Sequence, residues 1–212
     1  MAQWTTRELK KLKENPNDYP WDDIRVPMQN TRINAAKSEP SFEAWIDGIH
    51  AYHFDAANDA DESLHFSIQI PHDWAEGTNL RPHLHWAPKT TNTGNVVWEI
   101  EYIAAKLDGT FPASATTLEV TTAADGTANK HQLVKFGDID ASELKISSMI
   151  HFRLTRLGDD GSDTFTGDAV ACEFDAHYQR DSNGSYHELE KLNKEYKDQK
   201  GVPEKKFQPG AW

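Results

Sequence analysis

Ile70-Pro71-His72-Asp73-Trp74-Ala75-Glu76-Gly77-Thr78-Asn79-Leu80-Arg81-Pro82-His83-Leu84-His85-Trp86 packs three histidines and two tryptophans into seventeen residues. Successive side chains of a strand point to opposite faces. If Pro82–Trp86 is a strand, His83 and His85 share one face, and Leu84 and Trp86 take the other. Two adjacent imidazoles can be metal ligands, a proton-relay pair, or a polar lining between packed subunits. The rest of the chain has to decide between these.

The sequence on either side repeats the two-residue period. In Val96–Ile103, Trp98, Ile100 and Tyr102 fall on one face and Val97, Glu99 and Glu101 on the other. Met149–Leu157 alternates in the same way, with Arg153 and Thr155 on its polar side. The strands expected are His50–Phe54, Ser63–Ile70, Pro82–Trp86, Asn95–Ala104, Thr117–Thr121, His131–Phe136, Ser148–Leu157 and Ala169–Gln179. Between them lie turn clusters built on Gly94, Gly109, Gly126 and Gly161, since glycine supplies the positive φ that tight turns need. Short strands with no long helix between them predict an all-β, antiparallel sandwich of the jelly-roll type. An immunoglobulin-like sandwich is the second choice, but its Cys–Trp–Cys pattern is absent.

Three zones follow. Residues 1–44 read as an N-terminal docking arm, 45–179 as the sandwich, and 180–212 as a C-terminal arm. Thr5-Thr6-Arg7-Glu8 is a capping box that opens a short helix to about Glu14, and a second short helix is expected from Ser185 to about Asp198. Pro16, Pro20, Pro27 and Pro40 keep the rest of the first arm extended. Polar arms of this kind hold one conformation when a surface clamps them, most simply another subunit. Trp4, Trp21 and Trp212 are the expected partner-binding anchors, because a tryptophan buries a large area in a pocket.

The net charge of −12 opposes a phosphate-binding surface, so no nucleic-acid partner is expected. No run approaches a transmembrane span and no signal peptide is evident, so no membrane partner is expected either. Cys172 stands alone and reads as a small core residue in a chain made in a reducing cytoplasm.

Gly77-x5-His83-x-His85 matches the opening of the cupin metal motif, but the Glu that should follow is replaced by Ala87-Pro88-Lys89-Thr90. Only His151 or His177 could supply a later ligand. Another possibility is a structural transition-metal site, in which the His83/His85 pairs of three chains meet on a symmetry axis. The plain alternative is a strand face hydrogen-bonded to neighbours such as Asp175. The acidic run Asp159-Asp160-Gly161-Ser162-Asp163 with Asp168 fails the EF-hand spacing and reads as a solvated hairpin loop. Glu99 and Glu101 are same-face neighbours, unlike a glycosidase pair, which flanks its sugar. Gly-x-Ser-x-Gly, Gly-rich phosphate loops and Cys-x-x-Cys are all missing.

Three blocks carry a likeness: Trp21–Pro27, Pro71–Trp86, and Asp163–Ala169 continuing through Glu173–Gln179 to Gly184-Ser185. In these the chain resembles virion structural proteins of tailed bacteriophages and prophages, over roughly residues 20–185. The resemblance implies a non-enzymatic part of the particle that decorates or cements the capsid or serves as a neck or tail adaptor or fibre component. Its location would be the virion. Its partners would be itself, as a closed oligomer with a trimer ahead of a dimer, and capsid, portal, neck or tail proteins. It implies no catalytic residue and no cofactor. The rival readings are a cupin-like metalloenzyme and a carbohydrate-binding module that presents Trp74, Trp86 and Trp98.

Overall fold

A computed structural model describes residues 19–33, 38–55, 61–181, 184–185 and 187–191. The strands are β1 Trp21–Pro27, β2 Ser41–Ile46, β3 Ile49–Phe54, β4 Glu62–Gln69, β5 Arg81–Pro88, β6 Thr93–Ala105, β7 Thr116–Asp125, β8 Gln132–Lys135, β9 Met149–Arg156 and β10 Ala169–Gln179. A single 3-10 turn, Met28–Asn30, follows β1. No α-helix occurs among the described residues.

The strands form two antiparallel sheets. One runs β2-β3-β10-β5-β8, with β1 also paired to β10; the other runs β4-β9-β6-β7. From β3 onward the chain crosses between the sheets in the order that winds two Greek keys into a jelly roll. Every strand expected from periodicity is present, with ends shifted by a few residues.

Inward residues of both sheets make one core. Trp74, Trp86, Trp98, Phe54 and Phe174 are fully buried. Phe54 meets Trp98 edge-on at 5.1 Å, and Phe174 lies 4.7 Å from Phe66 and 5.2 Å from Phe152. Burying such a side chain contributes roughly 1.5–3 kcal/mol, so the aromatic centre clamps the sheets. Trp74, Trp86 and Trp98 are therefore core residues and cannot form a sugar platform.

Two strands, β1 and β2, lie outside the runs that periodicity marks. β1 pairs along its whole length with Gln179 to Glu173 of β10, and β2 forms a hairpin with β3. Trp21–Pro27 is thus integral to the sheet rather than a free arm, and residue 44 falls inside β2. The charges at Asp22, Asp23 and Arg25 obscure the alternation of Ile24 and Val26. β10 supplies the missing backbone partners, and Val26 is buried against the core. The β2–β3 turn, Asp47-Gly48, has positive φ at both residues (49° and 79°), as a two-residue primed turn requires. The described part of the expected C-terminal helix is a series of bends at His187–Leu189. Trp4, Trp212, the capping box and the remainder of both expected helices lie outside the described residues.

Candidate functional site

A bulge in β10 builds the site. Ala171 opposes Trp86 and Glu173 opposes His85, so Cys172 is an extra residue in the ladder. The bulge switches the phase of the strand. Ala169 and Ala171 point into the core before it; Phe174, Ala176 and Tyr178 do so after it. Glu173, Asp175 and His177 are thereby turned onto the outer face of the sheet. Cys172 is half-buried beside them rather than in the core, and burial raises its thiol pKa to about 11.

His83 and His85 of β5 meet this face, since Leu84 and Trp86 are fully buried on the other side. The register puts Asp175 opposite His83 on one side and opposite Arg25 of β1 on the other; His177 faces Asp23. The rings form a row. His177 lies 4.3 Å from His83, His83 is 5.1 Å from His85, and His85 stacks on His131 at 4.9 Å. Trp21 closes one end, 6.4 Å from His177, with the Arg81 guanidinium 4.5 Å above its indole.

Asp175 is the hub. Its Oδ1 contacts His83 Nε2, and its Oδ2 lies 3.2 Å from His85 Nε2. Among the described residues the His83 ring is the ion-pair partner of the buried Oδ1, which makes no other hydrogen bond. Burial disfavours charge on His83, but its hydrogen bond with the Asp175 carboxylate and the attraction of that charge outweigh it and raise the net pKa. On His85 burial prevails over the same carboxylate, assisted by His83 and His131, and lowers the pKa. His85 Nδ1 is 2.6 Å from His131 Nε2, so one of these two nitrogens donates a hydrogen bond to the other. Arg25 is committed to Glu173 by a fork of 2.6 and 2.7 Å.

The β2–β3 hairpin flanks this face, with Trp45 Nε1 donating to Asn129 Oδ1 at 2.7 Å. A cleft of about 560 Å³ opens there, lined by Trp45, His85, His131, Cys172, Glu173 and Asp175 among others. A second cluster, Glu43, His53 and Asp168, already has its cation: Lys89 Nζ lies 2.7 Å from Glu43 and 3.2 Å from Asp168.

His83 and His85 thus share a face as expected, and Asp175 is their neighbour. The face is the outside of the sheet, whereas a cupin motif binds its metal inside the barrel. His83 is buried beneath His177, and only the His85 ring is substantially exposed, at 27%. An axial site of six imidazoles would need both. His151 lies on β9 of the other sheet, so His177 is the histidine that joins the row. His131 and Asp23 carried no sequence signal, because only strand pairing brings them in. His72 is structural, 2.8 Å from Ser185 Oγ and 3.0 Å from Ser147 Oγ. Trp21 is 44% exposed. Asp163 of the acidic loop is bound by Arg156, and Glu101 pairs with Arg153.

No protein-family model matches the chain, and no curated protein matches it in sequence. Several solved structures are similar in fold. A CBM36-1 domain of a multidomain xylanase from the hindgut metagenome of Trinervitermes trinervoides is 10% identical at a TM-score of 0.41, over 73% of this chain and 96% of that one. The infectious bursal disease virus VP2 subviral particle is 14% identical at a TM-score of 0.39, over 77% and 34%. The tailspike protein 4 enzymatically active domain of bacteriophage CBA120 is 11% identical at a TM-score of 0.33, over 73% and 19%. Viral proteins and a carbohydrate-binding module stand side by side in this group. At such identities none of them assigns a function.

Proposed function

We propose that this chain is a non-enzymatic structural subunit of a tailed-phage virion, which assembles with itself and with neighbouring particle proteins. One observation carries the reading: the β2–β3 hairpin leaves an apolar edge of its sheet exposed. β2 is the outer strand of its sheet, and all its residues except Trp45 are exposed. Phe42, Ile46 and Ile49 are 51%, 43% and 68% exposed. Phe42 is kept in place by Tyr52 at 5.0 Å and His50 at 5.6 Å. An apolar edge strand pairs indiscriminately unless a specific partner covers it. The resemblance read in Trp21–Pro27, Pro71–Trp86 and Asp163–Ser185 points the same way, with no matching family model or curated protein behind it. Such a subunit would serve as capsid cement, neck adaptor or tail component, with Trp21 and the terminal arms as further contacts.

Analytical ultracentrifugation of the full chain tests it. A closed oligomer is expected, with a trimer first. Phe42→Ser combined with Ile49→Ser should shift it towards monomer while leaving the circular dichroism unchanged. A chain that stays monomeric at its highest soluble concentration, and fails to co-sediment with phage particles, refutes the proposal.

A further inference from the structure

We propose that His83 Nε2, His85 Nε2 and a carboxylate oxygen of Asp175 bind one divalent transition-metal ion of the zinc class within a single chain. The inference is independent of the assembly reading, and either can fail without the other.

The three ligand atoms lie within 4.8 Å of one another. Their placement is imposed by the backbone: two histidines two residues apart on β5, with Asp175 opposite the first on β10. In a tetrahedral zinc site with bonds of about 2.0–2.1 Å, ligand atoms sit about 3.3 Å apart. His85 Nε2 and Asp175 Oδ2, at 3.2 Å, already have that spacing.

Charge points the same way. The Asp175 side chain is 6% exposed, and its buried Oδ1 has no hydrogen-bond partner besides the His83 ring in contact with it. Burying a carboxylate is costly unless a cation accompanies it. Among the described residues no Lys or Arg lies within ion-pair distance of Asp175. Arg25 is forked onto Glu173 and Lys89 onto Glu43 and Asp168. The histidines are the only partners Asp175 has there, and a metal ion would join all three groups.

The surroundings also suit a metal. A ligating histidine commonly hands its other ring nitrogen to an acceptor, which sets tautomer and ring orientation. His85 Nδ1 has one in His131 Nε2 at 2.6 Å. With that nitrogen as donor, Nε2 presents its lone pair towards Asp175. His85 borders the open cleft, which provides an access path and leaves a coordination position for water. Two imidazoles and one carboxylate suit zinc, cobalt, nickel or copper, whereas calcium and magnesium take oxygen sets. His131 is a positioning residue here and touches no metal.

The test is equilibrium dialysis of the chelator-treated full chain against zinc chloride, with metal counted by elemental mass spectrometry. One ion per chain is expected, with no stoichiometric uptake of magnesium or calcium. Asp175→Asn and His85→Ala should abolish it. His131→Ala should weaken it about 10–100-fold. The exposed control His50→Ala should leave it unchanged. X-ray absorption should show a nitrogen/oxygen shell at about 2.0–2.1 Å without sulfur. If a variant misfolds, the wild-type chain still gives a readout: zinc should shift the ring nitrogens of His83 and His85 in nuclear magnetic resonance spectra and leave His151 unmoved. No stoichiometric zinc, one ion per three chains, or binding that survives Asp175→Asn overturns the proposal.

Discussion

Replacing Arg156 with methionine tests whether one buried ion pair ties the loop after β9 to the sandwich. Arg156 is fully buried, and its side chain and that of Asp163 are 0% and 1% exposed. All five guanidinium N–H groups are used. Nε and Nη2 donate to the two Asp163 oxygens at 2.9 and 2.8 Å, Nη2 also to Phe165 O at 2.7 Å, and Nη1 to Phe54 O at 3.0 Å and Gly167 O at 2.9 Å. One side chain thus joins the end of β9 to β3 and to the second half of the loop. Methionine fills much of the volume but strands a buried carboxylate with a single remaining donor, Val97 N–H at 3.1 Å, and frees three carbonyls. Breaking one side of such a pair costs about 3–5 kcal/mol, a large share of a typical stability of about 5–15 kcal/mol. Urea unfolding followed by tryptophan fluorescence measures the loss. Arg156→Met with Asp163→Leu removes both charges and should be more stable than Arg156→Met alone. A loss below about 1 kcal/mol for the single variant, the range of solvent-exposed pairs, would refute the reasoning and mean that water reaches the pair.

Two further outcomes are expected. Gly94 has φ +139°, and a Cβ there would lie 2.5 Å from the Thr164 carbonyl oxygen, so Gly94→Ala should lower stability by at least about 1–3 kcal/mol; an unchanged Tm would contradict the close approach of the loop to β6. Burial raises the Glu62 carboxyl pKa from 4.5 to about 7, against the Asp55 N–H that donates to it at 2.6 Å. Between those two values the unfolded chain has lost a proton that the folded chain keeps, so this group makes stability fall as pH rises from 4.5 to about 7. Glu62→Gln should remove that part of the slope, and equal slopes for both proteins in urea titrations would show that Glu62 is not perturbed.

Much of the fold is legible in the sequence, because the signal is local. Alternation in Val96–Ile103 and Met149–Leu157 follows from the two-residue period of a strand, and β6 and β9 form there. The pairing of His83 and His85 on one face is legible for the same reason. Asp47-Gly48 carries a local hairpin signal as well, an Asp-Gly pair suited to the positive φ of the β2–β3 turn. The β10 bulge left a trace in the phase slip from Ala169 and Ala171 to Phe174, Ala176 and Tyr178.

Other features exist only through contacts between distant segments. Trp21–Pro27 has too many charges to declare itself a strand, and β10 makes it one by completing its hydrogen bonds. The row His177–His83–His85–His131 draws on three segments, and its hub Asp175 is aimed by a bulge. Periodicity alone set which residues share a face. Whether that face points into the sandwich or away from it depends on which side the second sheet covers. Here Leu84 and Trp86 bury more apolar surface than the imidazoles could, so they took the core and left the histidines outside.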